Sequence, residues 1–388
     1  MAYLDNAATT QTPLPVLAAM NAFEQHERAN IHRGVHTLSQ RATEAFERAR
    51  ETLKRFVGAG TQHELVFTSG TTEAINLLAQ GLSTAWSGPA LLGPGDEIVV
   101  SGLEHHANLV PWQAAARRSG ATLRILRPDA QGELHAEDLA PLLTPRTRVF
   151  AITACANATG ARPPFEALLT QATRAGALTV LDAAQAVGHD VPTLSTLSCD
   201  FMAFSGHKMY GPMGTGALVG RRAAMERLAP LRLGGDMVEW VSYDDAGFAP
   251  LPARLEGGTP NVAGAVGLAA AADFIDQVGR EEIDAHVNAL RARAVAGLRR
   301  IDGLTVLSPG ARPSAIASFV VEGVHPHDIG TLLDEQGIAV RTGHHCAQPL
   351  LDHLGLGPTT RASFALYNTH DEVDRLVAAV ARVVEVMR

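Results

Sequence analysis

The sequence predicts an α/β protein in two parts: a mainly parallel sheet with helices on both faces, then a smaller α+β unit. Three observations predict it. Short β-rich runs alternate with helical stretches through the first two-thirds of the chain, as in parallel sheets joined by helical crossovers. After about Asn261 that texture gives way to two long helical stretches and a few isolated strands. The 388 residues, 46% hydrophobic, can bury a sizeable interior and are more comfortable with two cores than one.

The elements follow in order. Glu64 to Thr68 (ELVFT) is the first strand candidate, and TTEAINLLAQGL after it has helical spacing. DEIVVS (96–101) is the next strand, followed by a helical PWQAAARRSG. TLRIL, RVFAIT, ALTVLD (177–182) and DFMAFS (200–205) continue the series, while SGPALLGPG (87–95) reads as a surface loop. Beyond Asn261, GAVGLAAAADFIDQV and EEIDAHVNALRARAVAGLRRI read as helices. Then come the strand SAIASFVVE, a helix near HDIGTLLDEQ, the strand GIAVRT, the strand-like RASFALY and a final helix from about Asp371. No internal repeat is visible. The expected division is 10–260 for the large domain and 261–388, with segment 1–9, for the small one.

Charge narrows the function. Thirty-two basic against 40 acidic side chains give a formal charge of -8, which argues against a nucleic-acid binder. No basic segment followed by an apolar run opens the chain, and no run of 18 apolar residues occurs, so neither a secretory signal nor a membrane span is expected. Three cysteines, Cys155, Cys199 and Cys346, are too few and too odd in number for a disulfide framework. They read as reduced, in a cytoplasmic protein.

The strongest local signal is FSGHKMYGP, Phe204 to Pro212. A strand ends, and Lys208 follows beside a histidine and a Gly-Pro turn. A lysine that forms a Schiff base must reach a carbonyl and lose its proton readily, which suits a crowded polar site at a strand end. A lone lysine is ordinarily a solvated charge, but three further features change that reading. Asp182 closes the apolar run ALTVL. It is either a helix cap or the acidic partner that keeps a pyridine nitrogen protonated, and its place one strand before Lys208 favours the second. Gln185 in the same turn could donate to a ring hydroxyl. SGTTEAIN (69–76) is either an ordinary capped helix or a phosphate cup built from helix amides, Thr71 and Thr72, with Ser205 and His207 as further donors. EHHANLVPW (104–112) follows another strand, and His105 there could stack on a ring and shuttle protons near neutrality. The His105-His106 pair has no cysteine or acidic set at metal spacing, so no metal is expected. The cofactor implied is pyridoxal 5'-phosphate (PLP).

RTGHHCAQP sets Cys346 after a strand, in a polar loop with Arg341, His344 and His345, where cationic neighbours would favour the thiolate. Cys199, beside a strand, and Cys155, in TACANATGA, read as structural.

Together, YLDNAATT (3–10), NIHRGVHTLSQRAT (30–43), FTSGTTEAINL (67–77), EHHANLVPW, LDAAQAVGH (181–189), CDFMAFSGHKMYGPMGTG (199–216), EGGTPN (256–261), RTGHHCAQPLL (341–351) and RASFALYNT (361–369) resemble the class V aminotransferase family of fold type I. More closely they are similar to group II cysteine desulfurases of the SUF and CSD types. The resemblance implies a seven-stranded sheet in the large domain and PLP on Lys208, paired by Asp182, Gln185, His105 and Asn157. It implies phosphate contacts from Thr71, Thr72, Ser205 and His207, and from Thr259 across a homodimer with shared active sites. Arg361 would clamp the carboxylate of L-cysteine, with His32 and Arg341 on the substrate side. Cys346 would take the sulfur as a persulfide, release alanine and pass sulfur to an acceptor protein, for iron-sulfur cluster assembly or related biosynthesis. Selenocysteine lyase is the nearest alternative on the same fold, and a PLP-binding regulator without turnover a more distant one. Leu255 in ARLEGGTP and the residues around Asn157 depart from the family pattern.

Overall fold

The computed structural model describes residues 1–307, 312 and 314–387. In chain order its first part holds β1 (Ala2–Tyr3), α1 (Leu14–His26), α2 (Thr37–Phe56), β2 (His63–Thr68), α3 (Thr71–Ser83), β3 (Glu97–Ser101), α4 (Val110–Ser119), β4 (Thr122–Leu126), β5 (Thr147–Thr153), α5 (Phe165–Arg174), β6 (Leu178–Asp182), β7 (Phe201–Ser205), β8 (Gly216–Arg221), α6 (Arg222–Met225), β9 (Val238–Val241) and β10 (Ala246–Phe248). Then follow α7 (Val262–Val278), α8 (Arg280–Leu298), β11 (Leu304–Leu307), β12 (Ile316–Val321), α9 (Pro326–Glu335), β13 (Ile338–Ala339), β14 (Arg341–Gly343), α10 (Gln348–His353), β15 (Thr359–Ser363) and α11 (His370–Met387).

Seven strands form one sheet in the order β2-β8-β7-β6-β5-β3-β4. All pairs are parallel except those of β8, which runs against both β2 and β7. The inner strands are apolar on both faces because each face has its own core. In β5, Phe150 and Ile152 enter one buried cluster while Val149 and Ala151 enter the other, the period-2 alternation of a pleated strand. Each such aliphatic or aromatic side chain contributes about 1.5–3 kcal/mol on burial. Helix α2 covers the sheet's flank with Ala42, Ala45, Phe46, Ala49, Leu53 and Phe56 at three- and four-residue spacing, all buried.

The second sheet is four-stranded and antiparallel, in the order β11-β12-β15-β14. The short β1 pairs in parallel with β13, so the amino-terminal segment lies on the later part of the chain. No single helix among the described residues is long and apolar enough to cross a membrane; α7 and α8 meet at an 81° bend.

All six strands expected before Asn261 are present. Elements beyond the expected set are β1, α1, α2, α5, α6, α10, β8, β11 and the β9-β10 hairpin. Strand β8 is hidden in the sequence by glycines, and those glycines are steric requirements. A Cβ at Gly216 would sit 2.4 Å from the Phe204 carbonyl oxygen and 2.6 Å from Gly70 Cα. Gly70 itself holds φ 147 and ψ -179, a conformation essentially restricted to glycine. The expected RASFALY strand stops at Ser363: the Phe364 amide still donates to the Ala315 carbonyl in the β12 register, but the Ala365 amide turns away to Asn368 Oδ1.

Gly216→Ala should therefore cost about 1–3 kcal/mol of stability, the usual penalty of overpacking against backbone. A urea unfolding curve checks this, with the midpoint falling and the slope unchanged.

Candidate active site

Parallel strands end on one side of the sheet, and the polar residues following those ends converge there. A cavity of about 570 Å³ is lined from β6 by Asp182 and Gln185, from the turn after β7 by Ser205, His207 and Lys208, and from the turn after β3 by His105 and His106. Asn157 and Cys155 enter from the segment after β5, Thr71 and Thr72 from the first turn of α3. Arg361 on β15 and Arg341, His344, His345 and Cys346 close the opposite wall.

Asp182 is buried, and its Oδ1 accepts the Ala184 amide at 2.9 Å. Burial raises its pKa, while the Ala184 N–H and Lys208 hold it down. Lys208 sits in a three-residue turn directly after β7. Desolvation holds its ammonium below the ordinary lysine value, against Asp182 and Cys346, and Arg361 adds to the lowering. An amine so placed gives up its proton more readily than a surface lysine. At the first turn of α3, the Thr71 amide donates to Ser205 Oγ at 2.8 Å, and the two hydroxyls also lie 2.8 Å apart.

Asn157 joins the two walls. Its Nδ2 donates to the His345 carbonyl at 2.5 Å, and its own carbonyl accepts from Arg361 Nη1 at 2.8 Å. Its Oδ1 is buried without a partner, which in a native fold calls for a ligand atom. Arg361 is likewise buried, with Nη2 3.3 Å from Asp5 Oδ1 and Nε unpaired. Asp5 also meets Arg341 Nε at 3.4 Å, so one carboxylate from the amino-terminal segment holds both arginines. Desolvation pushes Arg361 down to about 10, which leaves it a cation at neutral pH.

The histidines depart from expectation. His105 Nδ1 accepts the Ala107 amide at 2.9 Å, so its proton sits on Nε2. Burial, then Lys208, His106 and Arg361, push its pKa down to about 4. It is a neutral ring at physiological pH and does not titrate near neutrality as expected; a proton passes only through Nε2. Burial and the neighbouring Lys208 likewise push His207 down to about 4, making it a neutral donor. His345 is pushed to about 3 by burial and the two arginines, so it is no cationic neighbour for Cys346. Positive charge acting on that thiol comes from Arg361 and Lys208.

Two expected residues lie elsewhere. Thr259 lines a separate cavity of about 210 Å³ with Glu73, Arg232 and Glu256. His32 is exposed, at φ 66, with its amide on Thr43 Oγ1 and its Nε2 3.9 Å from Glu47. An ionic network lies beside both: Glu47, near His32, and Glu256, in the Thr259 cavity, both bind the buried Arg50 guanidinium, and Glu256 also accepts the Phe67 amide at 2.6 Å.

Sequence reading missed Asp5 and Glu104. Glu104 is buried and accepts from Ser101 Oγ, Asn108 Nδ2 and the Thr153 amide. It thereby ties the ends of β3 and β5 to the turn bearing His105. Burial pushes it up to about 8 against those hydrogen bonds, and Asp182 adds to the rise. Of the three cysteines, all unpaired, Cys155 and Cys199 are buried and only Cys346 is exposed. Burial raises the two thiols to about 11 and about 12, so neither is a nucleophile at neutral pH.

Residues 2–376 match the family model described as aminotransferase class-V. The chain belongs to this family. Class-V enzymes of this kind depend on PLP, and the residues here fit it: a hydroxyl- and amide-lined cup at α3, a buried carboxylate beside a partly desolvated lysine, and an unpaired amide oxygen between them. The class-V chain is 47% identical to "Probable cysteine desulfurase 2" of Mycobacterium leprae, covering 99% of this chain and 92% of that one. It is 43% identical to "Probable cysteine desulfurase" of Halalkalibacterium halodurans, covering 99% and 93%. Among solved structures, the apo cysteine desulfurase of Thermococcus onnurineus matches with a TM-score of 0.94 at 38% identity, covering 99% of this chain and 94% of that one. The cysteine desulfurase CsdA of Escherichia coli, in an S-sulfonic acid form, matches at 0.91 and 40% identity, with the same coverage. The α/β fold with its mainly parallel sheet is thus the fold type I architecture.

A histidine held neutral in the folded state and free to charge when unfolded makes stability fall as pH drops below about 6.5. For His345 the window extends toward its depressed value of about 3. Between pH 6.5 and 5 this residue should account for about 1 kcal/mol, allowing for its partial exposure. His345→Gln should shrink the wild-type difference between urea midpoints at those two pH values; an unchanged difference would show that His345 is not held neutral.

Proposed function

We propose that the protein is a PLP-dependent cysteine desulfurase that converts L-cysteine to L-alanine and takes the sulfur onto Cys346 as a persulfide. The observation that carries this reading is that Lys208 and Cys346, from different sheets, line one cavity. The names of relatives identical over nearly the whole chain at 43–47% agree with it.

Bound at Lys208, PLP supplies an electron-withdrawing ring that acidifies the substrate Cα–H bond. Asp182, buried at the end of β6, keeps such a ring's nitrogen protonated. The Thr71 and Thr72 turn with Ser205 and His207 holds the phosphate. Gln185 Nε2 already donates to the Ala7 carbonyl at 2.8 Å, leaving its second hydrogen for a ring oxygen. Arg361 receives the substrate carboxylate on its unpaired Nε edge. The Lys208 amine, its pKa lowered by desolvation, takes the Cα proton. His105, neutral, would help hold the ring and keeps Nε2–H as its free donor in the cavity. Cys346 thiolate attacks the substrate sulfur. An S–S bond forms as the Cβ–S bond breaks; Cβ keeps the electron pair and takes up a proton equivalent to the one Cys346 lost on ionising, and Lys208 returns its proton to Cα. Alanine leaves, and the persulfide passes to an acceptor protein.

The roles of Thr259 and His32 belong to a homodimer with shared active sites. Neither residue lines the Lys208 cleft of its own chain, which supports this. The two-domain division at residue 260 is part of the same reading, supported by the second sheet lying wholly within 304–363. A cytoplasmic setting suits three unpaired cysteines.

Cys346→Ser should keep the yellow colour of the bound cofactor yet lose at least 100-fold in alanine release from L-cysteine. Lys208→Ala should lose borohydride-stable labelling altogether. Full alanine release by Cys346→Ser would overturn the role of the thiol.

A further inference from the structure

The loop between β14 and α10 bends sharply. His345 and Cys346 both adopt left-handed backbone, at φ 52 and φ 55. Residues with side chains rarely keep that conformation unless neighbours enforce it. Both carbonyls of the bend are held from the large sheet. Asn157 Nδ2 donates to the His345 carbonyl, and the His106 amide donates to the Cys346 carbonyl at 2.7 Å. On the other side His345 Nε2 lies 2.8 Å from Thr359 Oγ1.

The start of α10 has a gap in its own sequence. Its N-cap residue is Ala347, which carries no oxygen to satisfy the first amides, where helices ordinarily have Ser, Thr, Asp or Asn. The acceptor comes from another element. His106 Nε2 accepts the Gln348 amide at 3.3 Å. His106 thus grips the loop twice, by its backbone on Cys346 and by its ring on the residue two positions later.

We infer that His106 is a positioning residue for Cys346: its imidazole caps α10 from across the cleft and holds the thiol-bearing bend against the turn that carries His105. This rests on the reading of Cys346 as the sulfur acceptor. It separates the two histidines of EHHANLVPW, His105 facing the cofactor side and His106 the loop.

The test uses PLP-loaded enzyme and three variants. His106→Ala and His106→Phe both remove the acceptor, the second keeping ring bulk; His106→Gln restores an acceptor near the Nε2 position. Amide hydrogen exchange over 344–348 should speed up about five- to tenfold in the Ala and Phe variants, as expected for one lost hydrogen bond, and return close to wild type in Gln. On L-cysteine, kcat should fall by a similar factor with KM and cofactor absorbance unchanged. Wild-type protection of the loop in both acceptor-free variants would overturn the proposal, as would a Gln variant no better than Phe. The exchange measurement is independent of the desulfurase reading, which Cys346→Ser decides separately: normal alanine release there rejects the thiol's role, while loop exchange still reports on the clamp.

Discussion

Parallel pairing of β3, β5, β6 and β7 is the constraint on which the site depends. Thr153 is registered against Asp182, and Asp182 against Ala203. Strands in such register end together, so the turns that follow them share one edge of the sheet. Ser101, Thr153, Asp182 and Ser205 are all buried at or beside those ends. Lys208, Asn157 and His105 then need only three or four residues of turn to reach a common cavity. The antiparallel β8 serves the same end by pressing Gly216 against Gly70, which fixes the first turn of α3.

Charge in the cleft is rationed. Asp182, Lys208 and Arg361 are the ionisable groups at its centre, and His105, His207 and His345 around them are held neutral. The arginines are one cause, since each lowers the affinity of a nearby imidazole for a proton. Asp5 offsets part of the arginines' own field and leaves Arg361 with one free edge. A carboxylate arriving there meets a fixed, poorly hydrated guanidinium, the condition under which bidentate recognition is strongest.

Much of this was legible in the sequence because it is local. A strand, a short turn and a reactive side chain lie within ten residues at Lys208, Asp182 and Cys346, and so do the strand runs themselves. What was not legible depends on partners far along the chain. Asp5 looks like any acidic residue near a terminus until Arg341 and Arg361 fold onto it. His106 looks redundant beside His105 until Gln348 arrives, and Glu104 until Thr153 does. The neutrality of His105 could not be read either, because it follows from burial and from Lys208 and Arg361 rather than from its own neighbours in sequence. Strand β8 escaped because glycines forced by close backbone approach erased its β-rich signature.

The pairing of β1 with β13 carries a consequence for biosynthesis. Tyr3 and Asp5 leave the ribosome long before their partners Ala339, Arg341 and Arg361 are made. A nascent chain can complete the large sheet, and hold Ala7 and Thr10 against it, while Arg341 and Arg361 are still absent and Tyr3 and Asp5 wait without these partners. Closure of so distant a contact is slow and comes late. The Lys208 turn is therefore assembled before the arginine wall that faces it exists.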